Sequence, residues 1–132
     1  MTDMVRQLLE KRAIPEDSWD AFLSPDYVSG THDPFLMKDM DKAVARILKA
    51  IENKKKIVVY SDYDCDGIPG AVILHDFLKA INYDHFTVYI PDRHDEGYGL
   101  HRDAVESFIV QGTNLIITID LGITAIPEIA YA

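Results

Sequence analysis

The apolar positions of this chain change period several times, and each change marks an element. Over residues 40–53, Met40, Val44, Ile47 or Leu48, and Ile51 recur at helical spacing, and Asp39 stands where a helix N-cap belongs. At 56–61 the run Lys-Ile-Val-Val-Tyr-Ser is β-branched and apolar on consecutive positions, as in a strand buried on both faces. Helical spacing returns over 70–81, with Val72, Leu74 or His75, and Leu78 on one stripe. A second strand is predicted at 86–90, a helix at 101–111 and a third strand at 115–119, after which "TAIPEIAYA" opens another helix. Gly97 and Gly99 mark the loop between the second strand and its helix. Before residue 39 the pattern weakens to short helices broken at Pro15 and Pro25, then a loop over 26–37 containing Gly30 and Pro34. The chain thus divides into a helical and loop region, 1–38, and an α/β region, 39–132.

Strands alternating with helices long enough to cross over predict a parallel sheet with helices on both faces. Ligands of such sheets gather at the carboxyl ends of the strands. Asp62, Asp64 and Asp66 follow the first strand, Pro91, Asp92 and Arg93 the second, and Asp120 the third. These polar residues, far apart in sequence, are expected on one edge.

Composition narrows the field. The chain has 132 residues, enough for one core, and its single cysteine, Cys65, excludes an internal disulfide and fits a reducing cytoplasm. No apolar run approaches membrane-spanning length, so a soluble cytoplasmic protein is expected. The net charge of −9 disfavours generic polyanion binding, so any nucleic-acid partner needs local cations or bound metal to offset the acidic field.

The densest chemistry is "SDYDCDG" at 61–67, three acids at alternate positions before a glycine. A calcium loop of the EF-hand type is excluded, because the position that needs glutamate holds Ile73 and a strand precedes the motif. A phosphatase of the haloacid-dehalogenase type fits Asp64-Cys-Asp66-Gly67 after a buried strand, but Ile68 stands where threonine is wanted. The third reading makes the acids ligands for one or two hard cations, with Asp120 as the arm from another strand. Cys65 between two acids is a poor nucleophile. A single strand-end Asp is ordinary turn chemistry, but a cluster of this size is not.

At this point the chain resembles the DHH phosphoesterases. "VVYSDYDCDGIPGAVIL", "IPDRHDEGYGL" and "LIITIDLGITA" look like successive motifs of that family. Together with "LLEKRAI…FLSPDY…DPFLMKDMDKAVARILKAI", they are most similar to its RecJ branch of single-strand-specific 5′-to-3′ DNA exonucleases, acting in DNA repair and recombination. The resemblance implies Asp64, Asp66 and Asp120 as catalytic metal ligands for Mn²⁺ or Mg²⁺, with Asp62 supporting them. It also implies a substrate-organising role for Arg93 and the Gly97-Tyr98-Gly99 loop, and single-stranded DNA as partner. Tyr60-Ser61 departs from the usual His-Gly, Asp92 from a frequent Asn, and Leu121 from a small or polar residue. The Asp-His-His element that names the family is absent, so the expectation is a piece of a longer enzyme, holding half the site and inactive alone. Two other DHH roles stay open: cleavage of short oligonucleotides or cyclic dinucleotides, and a non-catalytic replication scaffold.

Overall fold

The computed structural model describes residues 2–132, which form two compact units, one through Met40 and one from Asp41 to Ala132. In the first, α1 (Asp3–Lys11) begins at Thr2, whose hydroxyl accepts the Val5 amide. Leu9 of α1 is buried, and the Trp19 indole donates to the Ile14 carbonyl at 2.9 Å, anchoring α2 (Trp19–Leu23). The stretch expected as loop contains two single turns, α3 (Tyr27–Gly30) and a 3₁₀ turn (Pro34–Leu36). Asp26 and Asp33 cap them by accepting the Ser29 and Phe35 amides, local bonds that apolar periodicity does not register.

The second unit is built on three parallel strands, β1 (Ile57–Ser61), β2 (Phe86–Tyr89) and β3 (Leu115–Ile119), in the order β2-β1-β3. Every residue of β1 is buried, as its unbroken apolar run requires. Its alternating side chains serve two cores. Val58 and Tyr60 pack with Ala104, Val105 and Phe108 of α6 (Arg102–Val110). Ile57 and Val59 pack on the other face with Ala50 of α4 (Met40–Glu52) and Leu78 of α5 (Gly67–Ala80). Each fully buried Val or Ile contributes about 1.5–3 kcal/mol, so β1 is the energetic centre of the unit. A last helix, α7 (Ile126–Tyr131), follows β3. Among the described residues no helix is long and apolar enough to cross a membrane.

Three details differ from expectation. Helix α5 starts three residues early, at Gly67, taking Pro69 into its first turn, where a missing N–H costs nothing. Its buried stripe runs through Gly67, Ala71 and Leu78, leaving Val72 half-exposed, because small residues rather than large ones face the sheet. Asp39 precedes α4 with φ +58°, left-handed rather than the extended backbone usual at an N-cap.

After β1 the chain steps to β2 on one side, then passes back across to β3 on the other. That reversal opens a crevice beyond the carboxyl ends of β1 and β3, the place where open α/β sheets bind ligands.

Candidate metal centre

The crevice is lined by acids because of how β1 ends. Asp62 prolongs the ladder by donating its amide to the Ile119 carbonyl at 3.3 Å, and its side chain is 1% exposed. Its carboxylate accepts the Tyr63 amide at 2.7 Å. The chain then reverses sharply into α5, and the Ser61 hydroxyl donates to the Gly67 carbonyl at 2.7 Å across the turn. A Cβ on Gly67 would lie 2.5 Å from the Asp62 carbonyl oxygen, so only glycine lets the helix start this close to the strand. Ser61 and Gly67 are therefore parts of the site that pattern reading passed over; the cue was a small polar residue ending an apolar strand six positions before a glycine.

Asp64 uses one carboxylate oxygen to accept two amides, of Asp66 and Gly67, each at 3.0 Å, in the manner of a helix cap. These bonds, helped by a hydrogen bond with Asp120 and the charge of Arg93, hold its carboxyl below the usual range. Asp120 sits at the tip of β3 with φ +58°, a conformation Asp tolerates better than most residues. Desolvation and the charges of Asp64, Asp66 and Asp62 raise its carboxyl above the usual range, as does the bond with Asp64. A cation entering here would relieve the repulsion among these carboxylates.

One oxygen from each of Asp62, Asp64 and Asp120 lies within 4.8 Å of the other two. Opposite ligands of an octahedral ion with bonds near 2.1 Å stand about 4.2 Å apart, so sub-ångström closure suffices for these donors to share one. All three are hard oxygen donors, the class that suits Mg²⁺ or Mn²⁺. The residues fit such an ion. Asp66 is exposed and lies outside this group, though its charge is among those raising Asp120.

The flanks carry the remaining candidates. The Arg93 guanidinium stacks on the Tyr63 ring at 4.4 Å and, with Asp64, Ile68 and Pro69, borders a depression of about 470 Å³. On the other side Tyr98, Asp120 and Gly122 border one of about 400 Å³, and the Tyr98 hydroxyl reaches the Asp120 carbonyl at 3.5 Å. Gly97 and Gly99 have φ of +78° and +107°, and the Tyr60 hydroxyl holds this loop by donating to the Gly99 carbonyl at 2.9 Å. Tyr60 and Ser61, at odds with the motif's usual His-Gly, are thus committed to backbone carbonyls on either side of the crevice. Asp92 shapes the same loop by accepting the His94 and Asp95 amides. Cys65 is an exposed free thiol at the rim, and His75 pairs with Asp76 away from it.

Known proteins resemble this chain in sequence and fold. The model of the DHH family, N-terminal domain, matches residues 56–132. The whole chain is 39% identical over 133 aligned residues to the single-stranded-DNA-specific exonuclease RecJ of Bacillus subtilis, and spans 17% of that protein's length. With the corresponding exonuclease of Thermus thermophilus it shares 36% identity over 88 residues, covering 67% of this chain and 13% of the relative. A crystal structure of exonuclease RecJ bound to manganese matches 72% of this chain and 24% of its own, with a TM-score of 0.65 and 34% identity. The parallel sheet, the acid-bearing turn after β1 and the family match over more than half its residues place this chain in the DHH family.

Proposed function

We propose that this chain carries part of the active site of a metal-dependent 5′-to-3′ exonuclease that hydrolyses phosphodiester bonds of single-stranded DNA. The convergence of Asp62, Asp64 and Asp120 from two parallel strand tips carries the proposal. Its nearest support in known proteins is the kinship with RecJ exonucleases, one of them solved with manganese bound. A bound divalent cation supplies Lewis acidity toward phosphate oxygens and makes water acidic enough to attack near neutral pH. The chain's own residues prepare for it. Asp64 spends one oxygen on two amides, which fixes its rotamer beside Asp120. Asp120 brings a carboxylate from the tip of the other strand. Asp62, fixed by the Tyr63 amide in a buried position, provides a third donor that cannot swing away. Motif resemblance gives the direct ligand role to Asp66 and the supporting role to Asp62; the geometry favours the reverse. Arg93 offers a cation to the substrate's phosphates, and the exposed Tyr98 ring offers a base a surface to stack on.

Manganese titration followed by calorimetry tests the site. Asp64→Asn and Asp120→Asn each weaken binding by at least roughly 10–100-fold, the loss typical even of a group that only supports a ligand. Asp62→Asn matches them, and Asp66→Asn costs less. Titrations indifferent to all four changes would falsify the assignment.

A further inference from the structure

We propose that the basic depression at the amino end of the sheet is a second nucleic-acid contact, one that holds backbone phosphates away from the reacting carboxylates. The depression measures about 370 Å³ and is lined by Arg46, Lys49, Asn53, Lys55 and Asn114. In a chain of net charge −9, the stretch 46–56 carries five cations, Arg46, Lys49, Lys54, Lys55 and Lys56, against one acid, Glu52.

None of the three lining cations is spent on a carboxylate. Ion pairs such as His75–Asp76, Lys79–Asp84 and Arg102–Glu106 lie elsewhere. Arg46 is instead oriented by one bond, Nη2 donating to the Asn114 carbonyl at 2.8 Å, which leaves most of its donor fork open. Asn114 turns its side-chain oxygen toward the Lys56 amide at 3.1 Å, so its NH₂ group remains available to an acceptor. Arg46 and Lys49 are three residues apart on α4 and so share one helix face, and Asn53 directly follows the helix. Lys54 adds a further clue. It occupies a left-handed backbone position, φ +51°, where glycine would be more stable, and opens a run of three successive lysines, Lys54 to Lys56.

The lining names the ligand class. All five side chains are polar, so there is no apolar pocket for a peptide's side chain and no ring on which a base could stack. What remains is recognition of hard anions by charge and hydrogen bonds, the sequence-independent chemistry of phosphate backbones. The choice of nucleic acid over other polyphosphates rests on the function proposed above; the cation cluster does not. The two sites stand at opposite ends of β1, about 16 Å apart for five residues at strand rise. A strand held here is tethered without touching the hydrolytic centre.

Fluorescence anisotropy of the chain with a labelled oligothymidylate, in EDTA, tests the proposal. Three phosphate contacts give a slope of log K against log salt of about −2, and Lys49→Ala/Lys55→Ala brings it to about −0.7. Among the described residues neither lysine side chain has a hydrogen-bond partner, so the double variant keeps its far-ultraviolet circular dichroism, and Lys49→Arg/Lys55→Arg retains the steep slope. Asp64→Asn leaves the slope unchanged while losing manganese, which separates this site from the metal reading. Absence of salt-dependent binding, an unchanged slope in the alanine variant, or tighter binding of polyglutamate than of the oligonucleotide overturns the inference.

Discussion

Gly67 shows how a single residue fixes the candidate site. In an ordinary helix Gly→Ala stabilises by up to about 1 kcal/mol. Here the added methyl would meet the Asp62 backbone, which belongs to a fully buried strand end and cannot retreat. Gly67→Ala is therefore expected to destabilise by roughly 1–3 kcal/mol, the usual cost of overpacking, measured as a lower urea midpoint. An unchanged midpoint would mean that the turn relaxes freely, and the rigidity claimed for Asp62 and Asp64 would go with it. Tyr60 makes a second residue-scale argument, from pH. Desolvation above all pushes its phenol up to about 12, from an ordinary value near 10. Because the folded state holds the proton more tightly than the unfolded one, the stabilisation is complete below about pH 10 and is lost as pH rises toward 12. Two units correspond to about 2.7 kcal/mol, an upper figure. Absorbance at alkaline pH should show most tyrosines ionising reversibly and Tyr60 only as the fold is lost. Tyr60→Phe should flatten that alkaline decline while costing about 1 kcal/mol at neutral pH through the lost bond to Gly99.

At the scale of elements, four helices end in the same way. After α1, α4, α5 and α6, a residue in the left-handed region donates to the carbonyl three back, and its successor to the carbonyl five back. The left-handed residues are Ala13, Lys54, Asn82 and Gly112. This double bond pattern is the Schellman motif, and its hydrophobic clasp is visible in Tyr83, which packs in the same cluster as Leu78. Only Gly112 and Asn82 are residue types that favour this backbone position; Ala13 and Lys54 give no such signal in the sequence. Ala13→Gly and Lys54→Gly should each stabilise by about 1 kcal/mol, since both residues bear the left-handed strain that glycine avoids. Thermal melts decide it, and a loss in both variants would contradict the cap assignment. The strands were legible because β1 is apolar throughout and β3 nearly so. The inward face of α5 was not, because Gly67 and Ala71 bury backbone rather than bulk. The acids after β1 and the Asp120 arm could be read from strand order alone. That Asp62 rather than Asp66 turns inward could not, because it depends on where the ladder to β3 ends, a contact between residues more than fifty positions apart.

At the scale of the molecule, stability is unevenly spread, and ligand binding should reveal how. β1 is hydrogen-bonded on both sides and its side chains are at most 2% exposed, so its amides can open only when both cores fail. Among its described residues, the unit through Met40 buries just Leu9 and Trp19 of its large apolar side chains, so its amides are expected to open by local events of much lower free energy. Hydrogen exchange should therefore rank β1 slowest, β2 and β3 intermediate, and α1 to α3 fastest. Manganese sharpens the test. A cation held by Asp62, Asp64 and Asp120 binds only where β1 and β3 are in register, so it stabilises the global state without touching local openings. At a free concentration 100-fold above its dissociation constant, the increment is about 2.7 kcal/mol, or roughly a hundredfold slowing of exchange. That slowing should appear in β1 and β3 and be absent from α1 to α3. If α1 to α3 slowed by the same factor, the two units would be opening as one and the hierarchy would be wrong. If β1 did not slow while calorimetry recorded binding, the ion would be seated away from the crevice that the strand order creates.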